Sequence, residues 1–296
     1  MEQETSLERA LALLPPALRG GGQALPPAVR RAAEEIRLRT GRRPTLLSEG
    51  REFPFLEGPT VTGGHLLDVL ELATGASVHT AEASIRRGFL TVSGGLRLGL
   101  CGTVIPGGDG APAGLRELSS LAIRLPREVR LCGAGAFDAL WREGFPSTLL
   151  LAPPGGGKTT LLREYVRRLS ENGVRVALAD ERGEVAGMWK GRAQFDLGPC
   201  TDVLTGAAKA AGALQLLRAM NPQCIAMDEI TAGEDVAAVE QIASCGVLLL
   251  ATAHGSSVYA LRSRPLYRRL LELEVFRACV CITGRGAERK YEVVPL

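Results

Sequence analysis

Apolar and polar positions change rhythm near residue 147. Before that point, short runs with alternating burial character predict strands at 36–39, 45–47, 89–92 and 96–104 and a helix over 64–73, a mixed α and β pattern. Ser93-Gly94-Gly95 between the last two strands reads as a hairpin turn. After residue 147 the strands become wholly apolar, at 149–152, 174–179, 224–227 and 247–252. Helical stripes separate them, as in a parallel sheet covered on both faces. One stripe is Leu161, Leu162, Tyr165, Val166 and Leu169, stopped by Asn172-Gly173; another is Ala210, Ala213, Leu214 and Leu217. The expected architecture is an α/β chain. It has a helix and a flexible Gly20-Gly21-Gly22 hinge over 1–22, a smaller α+β domain over 23–130, and a RecA-like P-loop NTPase domain over 131–296. Residues 106–114, rich in glycine and proline, read as a mobile loop.

Polar residues recur where apolar strands end, the edge at which open α/β sheets bind ligands. The first such point is LLLAPPGGGKTT, residues 149–160. Gly155, Gly156 and Gly157 lack a Cβ, so the backbone can turn through positive φ and bring N–H groups close to phosphate oxygens. A helix opening at Lys158 adds unpaired N–H groups and the positive end of its dipole. The pattern G-x-x-x-x-G-K-[ST] is met except at its first position, Ala152. Pro154, Gly155, Gly156, Gly157, Lys158, Thr159 and Thr160 therefore form the expected nucleotide-binding set, with Lys158 on the outer phosphates and Thr159 on Mg²⁺.

About 70 residues later CIAMDE ends a strand with two acids. Asp228 is expected to bind Mg²⁺, and Glu229 to polarise an attacking water. His254 follows the strand VLLLATA; if that strand inserts between the two nucleotide-binding strands, the ring lies beside the phosphate loop and can sense a γ-phosphate. Asp180, Glu181 and Glu184, at or just past another strand end, are expected near the nucleotide, with surface acids as the alternative. His65 and His79 carry no expected chemistry.

Composition narrows the picture. The 296 residues are 46% hydrophobic and 23% charged, enough for an ordinary core. No apolar run approaches the roughly 18 residues that span a bilayer, and the charged opening MEQETSLERA is unlike a signal peptide, so a cytoplasmic protein is expected. Seven cysteines without paired metal spacing read as reduced thiols, and Cys279-Val-Cys281 places two sulfurs on one strand face. A formal charge of +3 and 4% aromatic content give no strong sign of nucleic-acid binding. Arg262, Arg264, Arg268 and Arg269 read as a solvated helix face or an interface.

The ordered runs LLLAPPGGGKTTLL, ADERGEVAG, GPCTDVL, CIAMDEI and ATAHG resemble the sporulation stage III AA family, RecA-like ATPases related to type II and type IV secretion motors. The earlier runs EEIRLRTGRRP, GFLTVSGGLRLGLCG and SSLAIRLP resemble the same family's amino-terminal region. The resemblance implies an ATP- and Mg²⁺-dependent homo-oligomer, a hexamer, under the broad label of AAA ring ATPases. It further implies a place on the mother-cell side of the forespore membrane, energising a channel through membrane-bound sporulation proteins of the same operon. It also implies arginines donated by a neighbouring subunit, for which Arg97 and Arg124 stand at comparable places, with ordinary salt bridges as the alternative. A DNA-directed RecA-type motor and a nucleotide-gated assembly protein with little turnover stay open as alternatives. Ala152 and an Ala-Gly-rich stretch at 206–213 depart from the family pattern.

Overall fold

The computed structural model describes residues 5–75, 88–107, 112–126, 129–284 and 286–296, so His79 lies outside the described residues. The chain divides into two compact units, Met1–Arg127 with Trp189–Gln194, and Glu128–Met188 with Phe195–Leu296.

The first unit is built on a six-stranded antiparallel sheet in the order β3-β2-β1-β6-β5-β4. Its strands are β1 (Ala33–Arg39), β2 (Thr45–Ser48), β3 (Arg51–Pro54), β4 (Phe89–Thr91), β5 (Arg97–Pro106) and β6 (Pro112–Arg124). Glu49 and Gly50, both at positive φ, make the tight β2–β3 turn. Alternation sends Ile36, Leu38, Leu98, Leu121 and Ile123 into one core, where they meet Leu66 and Val69 of the helix Gly63–Thr74. His65 belongs to that helix's capping box, its Nδ1 accepting the Thr62 N–H at 3.2 Å.

Two sequence expectations change here. Gly20, Gly21 and Gly22 form no hinge; they lie inside the helix Pro16–Gln23. Gly21 and Gly22 are glycine because a Cβ would meet the Glu57 carbonyl oxygen at 2.0 Å and the Leu11 side chain at 2.6 Å, so their small size serves close packing. The 106–114 loop is shorter than expected, because β5 runs to Pro106 and β6 starts at Pro112; residues 108–111 lie outside the described residues.

The second unit carries a seven-stranded sheet in the order β13-β12-β7-β11-β10-β8-β9. Its strands are β7 (Thr148–Ala152), β8 (Val176–Asp180), β9 (Thr201–Thr205), β10 (Cys224–Met227), β11 (Leu248–His254), β12 (Ala278–Thr283) and β13 (Lys290–Pro295). All neighbours run parallel except the edge strand β13. Successive residues of β7 feed opposite layers. Leu150 and Ala152 join the side of the helix Lys158–Glu171, whereas Leu149 and Leu151 join the side of the helices Lys209–Met220 and Gly233–Ser244. Cys279 and Cys281 bring their sulfurs within 3.8 Å of each other on one face of β12.

Candidate functional site

Every parallel strand of this sheet ends at the same edge, and β11 lies between β7 and β10. That insertion brings the ends of β7, β10 and β11 side by side, as the sequence expectation for His254 required. The cavity above them has a volume of about 400 Å³ and is lined by Gly155, Gly157, Lys158, Thr159, Thr160 and Glu181 from one side. Asp228, Glu229, Thr231, His254, Lys209 and Arg289 line it as well.

The loop geometry follows from its glycines. Gly155 and Gly157 sit at φ +71° and +96°, which side-chain-bearing residues rarely adopt. A Cβ on Gly156 would lie 2.6 Å from the Ala152 Cβ and 2.9 Å from the Pro153 carbonyl oxygen, so this position has no room for a side chain. Pro154 and Gly156 shape the loop without lining the cavity. The helix Lys158–Glu171 starts with Gly157 as its cap and no side-chain cap bond, leaving its first N–H groups to an anion.

Side chains then form one connected polar chain. Lys158 Nζ lies 2.7 Å from His254 Nδ1, and His254 Nε2 lies 2.6 Å from Glu229 Oε1. An ammonium can only donate, so Nδ1 accepts from Lys158 and Nε2–H donates to Glu229; the two neighbours assign the tautomer. Beside it, Thr252 Oγ1 donates to Asp228 Oδ1 at 3.0 Å and accepts the Glu229 N–H at 2.8 Å. Thr159 Oγ1 lies 3.5 Å from Asp228 Oδ2. Glu229 is held at φ +27°, a strained value for a residue with a side chain, and functional sites are where such strain is kept. Burial lowers the Lys158 pKa, against the raising influence of Glu229 and Asp228. Burial likewise raises that of Asp228, against the hydrogen bond from Thr252.

Asp180 does not join this wall. Its carboxylate is buried and accepts the backbone N–H groups of Glu184, Val185 and Ala186 at 3.0, 3.3 and 2.9 Å. Its role here is to shape the loop that carries Glu181, Arg182 and Glu184 to the cavity. Arg97 and Arg124 lie in the first unit, opposite each other on β5 and β6, and do not line the cavity. Arg97 covers the Phe89 ring at 3.8 Å, and Arg124 Nε donates to Glu35 at 3.0 Å.

Four cavity residues, Arg182, Thr231, Lys209 and Arg289, were not anticipated. Lys209 donates to the Glu229 carbonyl and pairs with Asp235 at 3.5 Å and Glu181 at 3.8 Å. A lysine opening a helix opposes the dipole, and that mismatch was its available signal. Arg289 stands about 130 residues beyond the glycine loop, and no spacing rule connects them.

A buried acid facing a hydroxyl suits Mg²⁺, which takes one or two carboxylates and shares its remaining ligands with phosphates and water. Among the described residues no cluster of three or more His, Cys, Asp or Glu side chains forms a separate metal cage.

Solved structures with this fold include the ATPase DotB of Legionella pneumophila. It shares 17% identity at a TM-score of 0.58, with 97% of this chain and 77% of that chain covered. The pilus retraction motor PilT with bound ADP gives 16% identity and a TM-score of 0.62, covering 90% of this chain and 80% of that one. The fold is therefore that of the RecA-like secretion ATPases, and the AAA label, which denotes a different class, is set aside. The family profile "Sporulation stage III, protein AA" matches residues 27–291. Stage III sporulation protein AA of Bacillus subtilis (strain 168) is 33% identical over 270 residues, 89% of this chain and 87% of that protein. This chain belongs to the sporulation stage III protein AA family.

Proposed function

We propose that this protein is a Mg²⁺-dependent ATPase that works as a ring, a hexamer, and energises a sporulation channel from the mother-cell side through membrane-bound partners. The observation carrying the ATPase reading is the connected chain Lys158–His254–Glu229 at the mouth of a glycine loop, with Thr159 and Asp228 alongside. Lys158 and the loop amides would hold the phosphates of ATP, and Thr159 and Asp228 would hold Mg²⁺, which when bound offsets charge on the transferred phosphoryl group. Glu229 would take the proton of the attacking water. His254 bridges that base to the phosphate-binding lysine, so a change at one is felt at the other. The sporulation assignment follows from the family, and the ring from kinship with secretion motors. This reading assigns membrane attachment to the partners; among the described residues no helix is long and apolar enough to cross a membrane.

Arg97 and Arg124 would act on the nucleotide of a neighbouring subunit. What supports this reading is that the two arginines stand opposite each other on β5 and β6, where like charges cost stability; the contacts of Arg124 with Glu35 and of Arg97 with Phe89 fit the alternative of ordinary structural pairing.

The test is nucleotide binding and turnover in Glu229→Gln and Lys158→Ala. The glutamine variant should bind ATP at normal strength while turnover falls about 10²- to 10⁴-fold, and the alanine variant should lose both. Full turnover by Glu229→Gln would remove it from the base role. Mass measurement with an ATP analogue and Mg²⁺ tests the ring, and stimulation of turnover by DNA that vanishes with salt would favour a nucleic-acid track instead.

A further inference from the structure

We propose that Arg289 is a nucleotide-binding residue acting in cis, gripping the phosphates that ADP and ATP have in common. This rests on the reading of the cavity as a nucleotide site and adds a residue to it.

Gly284 sits at φ +74°, and a Cβ there would meet the Glu288 carbonyl oxygen at 2.5 Å. The short turn Gly286–Glu288 follows, and Arg289 comes immediately before β13. Its guanidinium carbon lies 3.1 Å from where a Cβ on residue 157 would be, so the arginine rests directly on the glycine loop. It also lines the cavity.

Its hydrogen bonding is incomplete. Arg289 Nε is shielded from solvent and finds no acceptor among the described residues. Buried arginines of the neighbouring helix show what a structural role looks like. Arg163 donates to the carbonyls of Val185 and Glu184, and Arg167 grips Glu164 with two nitrogens. A shielded donor without an acceptor costs free energy, and an anion beside the loop would remove that cost. Guanidinium suits this task because its planar fork matches phosphate oxygens.

The position also selects which phosphates. Glu229 and His254 gather about the Lys158 ammonium, at the end assigned to the γ-phosphate. Arg289 instead leans on Gly157, part of the backbone that cradles the inner phosphates in loops of this kind. Its loss should therefore weaken ADP and ATP alike, unlike loss of a γ-phosphate sensor.

The experiment titrates the full chain with ADP, ATP and inorganic pyrophosphate in the presence of Mg²⁺, for wild type, Arg289→Gln and Arg289→Lys. Thermal unfolding without ligand verifies that each variant is folded. Arg289→Gln should weaken all three ligands by about ten- to a hundredfold, with part of the loss recovered by lysine. Unchanged ADP affinity, or a loss confined to ATP, overturns the proposal. So does a loss for ADP with none for pyrophosphate, which would place the arginine on the base or ribose. If wild type takes up none of the three, the nucleotide site itself is refuted, an outcome separate from normal wild-type binding with an indifferent variant.

Discussion

The two sheets of this protein are of similar size and opposite design. In the antiparallel sheet of the first unit, neighbouring strands end at opposite edges, so polar side chains are distributed in small separate groups, Arg39 and Thr45 on Glu52, and Arg37 and Arg124 on Glu35. In the parallel part of the second sheet every strand ends at one edge, and the residues after β7, β10 and β11 form a single network. Strand direction decides whether scattered polar residues become a site.

The contrast can be broken most severely at Arg97 and Arg124. If the first unit contributes chemistry, replacing both by alanine should lower turnover by about 10³- to 10⁵-fold in a steady-state assay, with ATP binding retained. Normal turnover would leave that unit a scaffold. Next comes Gly21→Ala, whose Cβ would collide with the Glu57 carbonyl. It should cost about 1–3 kcal/mol, seen as faster hydrogen exchange in the first unit, and leave nucleotide affinity unchanged. A fall in affinity would mean that the units are energetically coupled.

The smaller effects concern pH and have opposite signs. Burial raises the Asp228 pKa, so its ionisation opposes folding; its contribution worsens as pH climbs from the ordinary carboxylate range through the raised native value. Asp228→Asn should then raise the neutral-pH unfolding midpoint, by about 1 kcal/mol of stability, while abolishing Mg²⁺-dependent turnover. An unchanged or lowered midpoint would contradict this. In the first unit, hydrogen bonds from Arg39 and then Thr45 pull the Glu52 pKa from 4.5 to about 2. Its stabilisation is complete above the ordinary value and lost as pH falls through that interval. The pair is over a third exposed and screened, so Glu52→Gln should cost no more than about 0.5 kcal/mol in chemical unfolding at neutral pH.

Much of the site was legible because its parts are local. LLLAPPGGGKTT and CIAMDE each join an apolar strand to its functional residues within a few positions, so periodicity and motif agree. Asp180 was legible as a strand-end acid, but not its three backbone partners, because a carboxylate facing a ligand and one capping a loop share the same local pattern. The glycines at 20–22 misled in a related way. Composition reports conformational freedom, whereas the role of Gly21 and Gly22 depends on Phe55 and Glu57, more than 30 residues away.

By itself, the order of residues determined where the apolar strands lie, which loop can turn through positive φ, and which acids and hydroxyls follow the strands. Those properties depend on backbone sterics and periodic burial over a few neighbours. Only the tertiary structure decided that β11 inserts beside β7, that His254 joins Lys158 to Glu229, and that Lys209 and Arg289 complete the cavity wall. Such meetings depend on strand order and helix packing, which no short stretch of chain contains.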